Sequence, residues 1–170
     1  MVDIKQNILS KIDLYYGDIS MPKGFEIDKD QLQKDILSHI IQDCPFPFSK
    51  EWDKLNTYLR EHINVEYGFT LINKLTTGCM FKPNESNFPE YENNKVDLRN
   101  SPDYVMLYGV NVKNCSIRIY YDDNRRAGRS WDIELKNNKF IMFPSTLTYH
   151  ISNNQKEQVN FILKTTYEYI

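Results

Sequence analysis

The sequence has little of what marks several common classes of protein. Its three cysteines, Cys44, Cys79 and Cys115, are odd in number and show no C-x-x-C spacing, so neither a disulfide framework nor a zinc site is expected. Basic residues number 21 and acidic residues 23, a balance that gives no general attraction to nucleic acid or acidic lipid. With no apolar run near about 18 residues and no charged-then-apolar leader, the sequence predicts neither a membrane span nor an export signal.

Motifs of two large enzyme classes are also missing. No G-x-x-x-x-G-K-[ST] loop and no G-x-S-x-G turn occurs, so nucleotide hydrolysis and α/β-hydrolase chemistry have no support. The cysteines are expected to be free thiols in a reducing cytosol. Histidine is scarce, with His39, His62 and His150 as the whole supply.

Two amphipathic helices are predicted in the first third of the chain. Asp28 is a good N-cap, with Gln31 three residues on as in a capping box. An apolar face follows, made of Leu32, Ile36, Leu37, Ile40 and Ile41. The prolines at 45 and 47 end this helix, and Ser49 caps a second one. Its buried side is predicted to hold Trp52, Leu55, Leu59 and Ile63.

The rest of the chain is predicted to be β-structure. From Val65 onward the hydrophobic period is two, as in half-buried strands. Strands are predicted at residues 12–16, 104–112, 116–121, 131–135, 139–143, 148–151 and 158–170. The sequence therefore predicts an α+β, mainly β fold, a jelly roll with two N-terminal buttressing helices. One domain is expected over 1–170, with an arm and helices at 1–64 and the β core at 65–170.

Residues 139–154 resemble the double-stranded β-helix of Fe(II)/2-oxoglutarate oxygenases, in particular the phage and prolyl-hydroxylase-like branch. An apolar strand ends in Phe143-Pro144-Ser145, and His150 follows where that family has its second metal-binding histidine. Residues 117–123 and the last strand also sit where the family has core strands. More broadly, the whole chain resembles an uncharacterised protein family of contractile-tailed phages that infect marine cyanobacteria, through residues 100–104 and 120–126.

The oxygenase resemblance implies Fe(II) and 2-oxoglutarate, with iron held by two histidines and one carboxylate. The family supplies the first histidine and the carboxylate as His-x-Asp or His-x-Glu, and no histidine of this chain makes that motif. In its place, before the strand at 104–112, stand Asp97 and Asp103. The resemblance therefore implies His150, Asp97 and Asp103 as the metal ligands of an active enzyme. Lys164 and Tyr108 would then bind the co-substrate.

A second concentration of functional groups lies at residues 122–129. Arg125, Arg126 and Arg129 stand on this connection beside Tyr121 and Trp131. Arginine and aromatic side chains dominate binding hot spots, so these five residues are candidates for contacting a partner. The aspartates at 122 and 123 could equally neutralise the arginines and leave a solvated turn.

Three functions follow from these observations. The first is a phage-encoded, non-catalytic jelly-roll module without a cofactor, which binds a protein of the virion or the host. It would act in the host cytoplasm or on the virion, away from membranes and nucleic acid. The second is an active Fe(II)/2-oxoglutarate oxygenase with an atypical metal triad that includes His150. The third is a jelly roll that binds a sugar or another small ligand in its mouth. The sequence leaves the oligomeric state open.

Overall fold

The computed structural model describes residues 11–44, 46, 49–87, 89–90, 92, 97–122 and 129–170. One short strand precedes two helices, and the other strands follow them; together the strands form two antiparallel sheets. The helices are α1 (Lys29–Gln42) and α2 (Lys50–Tyr67). The strands are β1 (Tyr15–Asp18), β2 (Leu71–Phe81), β3 (Tyr104–Asn111), β4 (Cys115–Asp122), β5 (Arg129–Leu135), β6 (Lys139–Pro144), β7 (Thr148–Asn153) and β8 (Asn160–Tyr169). In the part of the chain that is described, no helix is long and apolar enough to cross a membrane.

Helix α1 begins as its sequence predicts, because the Asp28 carboxylate accepts a hydrogen bond of 2.9 Å from the Gln31 backbone N–H. The predicted apolar face is only partly right. Leu32 and Ile36 are buried, whereas Ile41 is 76% exposed. The helix-side core reaches only the first turns of α1, so the final turn projects its apolar side chains into solvent.

Helix α2 is longer than its sequence prediction. Ser49 caps it, and the four predicted apolar residues are buried. The helix continues to Tyr67, however, and the predicted change to strand at Val65 is wrong. Gly68 ends the helix in the left-handed region at φ 68°, a conformation that costs glycine little. The following strand starts only at Leu71.

The two sheets pack face to face. The larger sheet has the order β1-β6-β3-β8-β2 and the smaller one β5-β4-β7. Apolar side chains from both sheets share one core between them. The opposite face of the larger sheet is covered by α1 and α2, which form a second core with it. The predicted α+β, mainly β fold with two buttressing helices is therefore confirmed in its element content and layering.

Two segments lie along the edges of the sheets. The first strand lies at Tyr15–Asp18 rather than at 12–16, and it pairs with β6. The polar segment after β2 follows the edge of the smaller sheet, where Ser86 pairs with Ser152 and Glu90 with Tyr149. This pairing brings a segment without regular strand structure against β7. The pairing of Glu90 with Tyr149 positions the side chains of this segment next to the space between the sheets.

Candidate functional site

The alternation of side chains along β7 determines what faces the interior. Tyr149, Ile151 and Asn153 are buried, while the residues between them are only half-buried. Tyr149 packs against Phe143 of the larger sheet, with ring centroids 5.0 Å apart. The interior position on this strand therefore belongs to Tyr149, and His150 lies on the outer face.

His150 is held among polar groups on that outer face. Its Nδ1 lies 3.2 Å from the Tyr120 hydroxyl, and Arg118 is its neighbour across the strand pair. Arg118 in turn makes a two-pronged ion pair with Asp132, with Nε–Oδ1 and Nη2–Oδ2 distances of 2.6 and 2.7 Å. Tyr120 and Arg118 therefore give His150 a structural setting on the surface of the smaller sheet.

The structure does not bring the other two candidate metal ligands to His150. Asp97 accepts hydrogen bonds from Asn100, the shorter one 2.7 Å from its side-chain nitrogen. Asp103 accepts from the Tyr169 backbone N–H at 2.8 Å, at the end of β8. Within the described ranges, no group of three or more His, Cys, Asp or Glu side chains could hold a metal ion.

Between the sheets lies a different polar cluster, the inner network of Lys164, Glu92, Glu90 and Tyr149. The Lys164 ammonium is 2.6 Å from Glu92 Oε1 and 3.8 Å from Glu90 Oε1. The Tyr149 hydroxyl donates to the same Glu92 oxygen at 2.9 Å. Asn87 donates to Glu90 at 3.1 Å. One ammonium thus faces two carboxylates in the space between the sheets.

Lys164 and Tyr149 of the inner network each keep one protonation state. Burial alone would lower the pKa of Lys164, but its hydrogen bond and ion pair with Glu92, helped by Glu90, raise it above the ordinary lysine value. Burial, together with the negative charge of the same carboxylates, raises the pKa of Tyr149. Lys164 therefore remains an ammonium and Tyr149 a neutral hydroxyl donor across the physiological range.

The sequence carries one signal for the inner network, the Glu-x-Glu spacing of its two carboxylates. Glu90 and Glu92 are two residues apart, so in an extended segment both side chains point to one side. The reciprocal backbone hydrogen bonds between Glu90 and Tyr149, both 2.9 Å, turn that side toward Lys164. The Glu-x-Glu pair thus precedes β3, as the His-x-Asp motif of the oxygenases was expected to do.

The two candidate co-substrate residues lie on opposite faces of the larger sheet. Lys164 points between the sheets, whereas Tyr108 belongs to the core beneath the helices. The Tyr108 hydroxyl donates to Asn138 at 2.9 Å, and burial raises its pKa. The two side chains therefore do not face a common site.

A cavity of about 360 Å³, here called the edge cleft, opens between the two sheets where β1 and β5 form their edges. Three aromatic side chains line it: Tyr16, Tyr121 and Trp131. The remaining walls are Ile12, Asp13, Leu14, Ile119 and Leu147. Two of the predicted partner-binding residues thus share one concave surface.

Of the three arginines predicted to contact a partner, Arg129 is the one that the structure describes. Arg129 begins β5 and is exposed, two residues before Trp131 on the same strand. Arg125 and Arg126 lie outside the described residues.

The thiols are expected to differ in reactivity. Burial raises the pKa of Cys79 to about 11 and that of Cys115 to about 12, so almost no reactive thiolate exists at pH 8. Cys44 lies half-buried just beyond α1. We expect iodoacetamide at pH 8 to label Cys44 alone in the native protein and all three thiols after unfolding, as read by mass spectrometry. Rapid native labelling in a Cys44→Ser variant would contradict this.

Comparison with known proteins places the fold. No family model matches the sequence, and no curated protein matches it. Among solved structures, a Pseudomonas putida prolyl-4-hydroxylase superposes with a TM-score of 0.63 at 13% identity, over 92% of this chain and 88% of that one. The fold resembles that of the prolyl-hydroxylase-like 2-oxoglutarate and Fe(II) oxygenases.

Two further prolyl hydroxylase structures are similar to this chain. A viral collagen prolyl hydroxylase of Paramecium bursaria Chlorella virus-1 gives a TM-score of 0.60 at 14% identity, covering 92% of this chain and 91% of that one. A Trichoplax adhaerens prolyl hydroxylase gives 0.51 at 10% identity, covering 71% and 59%. At such low identity the likeness concerns the fold.

The described residues do not fit the iron site of such oxygenases. Iron in these enzymes needs two histidines and a carboxylate on one face, with open positions for co-substrate and oxygen. His39 lies on α1 with Nδ1 2.7 Å from the Cys44 carbonyl, His62 stacks on Tyr58 of α2, and His150 faces outward. No histidine therefore points between the sheets. The inner network places an ammonium there.

Proposed function

We propose that this protein is a non-catalytic binding module built on the oxygenase fold, without iron or 2-oxoglutarate. The observation that carries the proposal is the Lys164 ammonium, 2.6 Å from Glu92 between the sheets. Glu92, whose side chain is 22% exposed, is a carboxylate that could otherwise attract a divalent cation, and the more exposed Glu90 stands beside it. Lys164 already pairs with Glu92, and its raised pKa keeps it protonated.

Electrostatics explains why such a network opposes metal binding. A divalent ion would have to displace the ammonium or tolerate its charge at close range, where repulsion is strong in a medium of low polarity. Glu92 also accepts the Tyr149 hydroxyl, so its Oε1 atom is doubly engaged. The interior therefore favours an internal ion pair over a vacant coordination site.

We further propose that the β core is a double-stranded β-helix. Along the chain the strands alternate between the sheets, with β3 in the larger sheet, β4 and β5 in the smaller, then β6, β7 and β8 in larger, smaller and larger. This winding and the similarity to the prolyl hydroxylases support the assignment.

The proposed partner is a protein of a phage virion or of its host. Arg129 and the exposed rings of Tyr121 and Trp131 would supply the contacts, with Arg125 and Arg126 beside them in the sequence. Guanidinium groups beside aromatic rings suit a protein surface that carries carboxylates. The protein would act in the host cytoplasm or on the virion.

An anaerobic titration tests the absence of catalysis. With Fe(II) and 2-oxoglutarate added, we expect no charge-transfer absorption band, and no succinate once oxygen is admitted. The His150→Ala variant should behave in the same way, because His150 faces away from the interior. A known prolyl hydroxylase treated in parallel serves as the positive control.

Two outcomes would contradict the proposal. A band and succinate that both disappear in His150→Ala would establish an oxygenase with an atypical triad that includes His150. A band and succinate that survive in His150→Ala but disappear in Glu92→Gln would establish a metal site on the inner network instead.

A further inference from the structure

We infer that β5 takes up an extended, acidic segment of the partner protein as an additional strand, with an apolar side chain of that segment in the edge cleft. This inference rests on the proposed function and names how the partner protein is recognised. Strand β5 is at the edge of the smaller sheet. An edge strand presents backbone N–H and C=O groups with which an extended peptide can pair.

The first half of β5 is exposed on both faces. The four residues Arg129–Asp132 are exposed, whereas Ile133 and Leu135 are buried. Because alternate residues of a strand point to one side, Trp131 shares the inward face of Ile133 and Leu135. That face is covered by the core at one end of β5. At the other end it opens into the edge cleft, where Trp131 is 55% exposed.

The Lys139 side chain shows which backbone groups of β5 point away from β4. Its ammonium reaches from β6 of the other sheet and donates to the Glu134 carbonyl at 2.8 Å. In an antiparallel pair, the N–H and C=O groups of one residue point to one side and those of the next residue to the other. The backbone groups of Ser130 and Asp132 therefore also point away from β4, toward the edge.

The pairing of β4 with β7 agrees with this direction. The Tyr149 N–H donates to the Glu90 carbonyl at 2.9 Å, on the side of β7 away from β4. Tyr149 lies opposite Ile119, so Ile119 directs its own backbone groups to the other side, toward its second partner Trp131. The residues on either side of Trp131 therefore direct their backbone groups to the edge of the sheet.

A strand added at this edge would place one of its side chains directly beside Trp131. The residue opposite Trp131 would belong to a non-hydrogen-bonded pair, in which the two side chains are closest. Its side chain would enter the edge cleft against Tyr16, Tyr121 and Trp131, so an apolar residue is expected there. Burial of these exposed rings would supply favourable free energy.

The charges around the edge cleft favour a carboxylate in the added segment. Arg129 stands two residues before Trp131, on the same face of β5. Lys139, whose ammonium lies 5.5 Å from a ring of the lining, adds a second positive charge. Asp13, the acidic residue among those that line the cleft, is already 3.3 Å from the Lys11 ammonium. In an antiparallel segment, an acidic residue two positions after the apolar one would lie opposite Arg129.

Titration calorimetry with short synthetic peptides tests the inference. The probe is acetyl-Thr-Val-Thr-Leu-Thr-Glu-Thr-amide, in which leucine would lie opposite Trp131 and glutamate opposite Arg129. Replacement of the glutamate by glutamine should weaken binding about threefold, since the pair with Arg129 is exposed to water. Replacement of the leucine by threonine should weaken it about tenfold, because an apolar side chain leaves the cleft.

Two N-methylated forms of the probe test the added strand itself. A methyl group on the threonine between leucine and glutamate removes the N–H that would donate to Ser130. We expect binding to weaken about tenfold, the effect of one lost hydrogen bond. A methyl group on the leucine removes an N–H that would point away from β5, so binding should change by less than about twofold. The two peptides differ only in the position of the methyl group.

Variants of the protein provide the matching evidence. Ser130→Pro removes an N–H that points to the edge, where a sheet tolerates proline, so the fold should persist while the probe binds at least about tenfold more weakly. Trp131→Ala should weaken binding about tenfold, as expected for a ring at the centre of a contact. Tyr169→Ala removes an exposed ring outside the cleft and should leave binding unchanged. Circular dichroism checks folding, and the N-methylated peptides decide if Ser130→Pro unfolds.

Four results would overturn the inference. Equal binding of the two N-methylated peptides would mean that a protein partner contacts side chains alone, which leaves the proposed function standing. Absence of probe binding at millimolar concentration would remove the added strand. Tighter binding of 4-phenylbutyrate than of the probe would assign the cleft to a small carboxylate. A dimer seen by sedimentation without probe, and lost in Ser130→Pro, would assign the edge to a second copy. The iron titration tests the absence of catalysis separately.

Discussion

Gly109→Ala should destabilise the protein by about 3 kcal/mol or more, at or above the usual upper range for overpacking. A Cβ atom at Gly109 would lie 2.1 Å from the Lys136 carbonyl oxygen and 2.9 Å from its carbonyl carbon. These are backbone atoms, and they cannot swing aside as the tip of a side chain can. Urea unfolding followed by circular dichroism measures the loss.

The turn that would collide with the new methyl group is fixed on β3. The Asn138 N–H donates to the Gly109 carbonyl at 2.9 Å, and the Asn137 side chain accepts from the Val112 N–H at 2.7 Å. The turn between β5 and β6 therefore cannot retreat without losing both bonds. Relief would require β5 and β6 to separate from β3.

Gly17→Ala is the matched control. A Cβ at Gly17 would meet the edge of the Phe140 ring at 3.3 Å, a contact that a small rotation of the ring relieves. We expect a change of at most about 1 kcal/mol, since alanine also lowers the entropy of the unfolded chain. If Gly109→Ala unfolded at the same urea concentration as Gly17→Ala, the close approach of β3 and the turn would be refuted.

Features set by neighbouring residues were predictable from the sequence. The caps at Asp28 and Ser49 depend on one side chain and a backbone N–H three residues on, and both form as predicted. The later strands lie within two residues of their predicted limits, because their period-two pattern continues between turn signals. Such features require no knowledge of the tertiary structure.

Predictions that needed long-range information were less successful. An uninterrupted period of two would place Leu75 on the buried face with Leu71, yet Leu75 is 59% exposed. A β-bulge between Asn73 and Leu75 inserts one residue and reverses the faces that follow. The change of the hydrophobic period to two at Val65 predicts that α2 ends near residue 64, whereas Gly68 ends the helix.

The candidate site shows how a motif can conflict with a simpler pattern. Tyr149 and Ile151 alternate with His150 and Ser152, and apolar residues on such a strand face the core. That alternation predicts an outward His150, although the similarity to the oxygenases suggests a metal ligand. The inner network was harder to find, because no local rule shows that Glu90 pairs with Tyr149, 59 residues later in the numbering.

Lys164→Met should destabilise the protein by about 3 kcal/mol, near the lower limit for removing one partner of a buried ion pair. The Lys164 and Glu92 side chains are only 17% and 22% exposed, so the Glu92 carboxylate cannot recover its full hydration. In Lys164→Met, the Glu92 carboxylate would keep the hydrogen bond from the neutral Tyr149 hydroxyl. Methionine matches the length of lysine, so the loss reports on charge rather than on a cavity. Urea unfolding measures it.

Lys74→Met is the matched control on the adjacent strand. Lys74 of β2 pairs with Glu168 of β8 at 3.1 Å, but the two side chains are 30% and 35% exposed. Pairs in contact with water contribute at most about 1 kcal/mol. The difference between the two lysine variants therefore isolates the effect of burial between the sheets.

The dependence on pH follows from the raised pKa of Lys164. A lysine whose folded pKa is raised contributes stability that is fully present below its unfolded pKa of about 10.4. That stability is lost as the pH rises through the folded pKa. The difference between wild type and Lys164→Met should thus be constant from pH 7 to pH 9 and decrease only in more alkaline solution.

The double variant Lys164→Met/Glu92→Leu separates the cost of an unpaired charge from the net value of the pair. Replacement of both partners of a buried ion pair by apolar residues is often close to neutral, so the double variant should regain at least about half of the loss. A Lys164→Met protein as stable as Lys74→Met would mean that water already solvates Glu92. The space between the sheets would then be open to a metal ion, and the main physical argument against an oxygenase would fail.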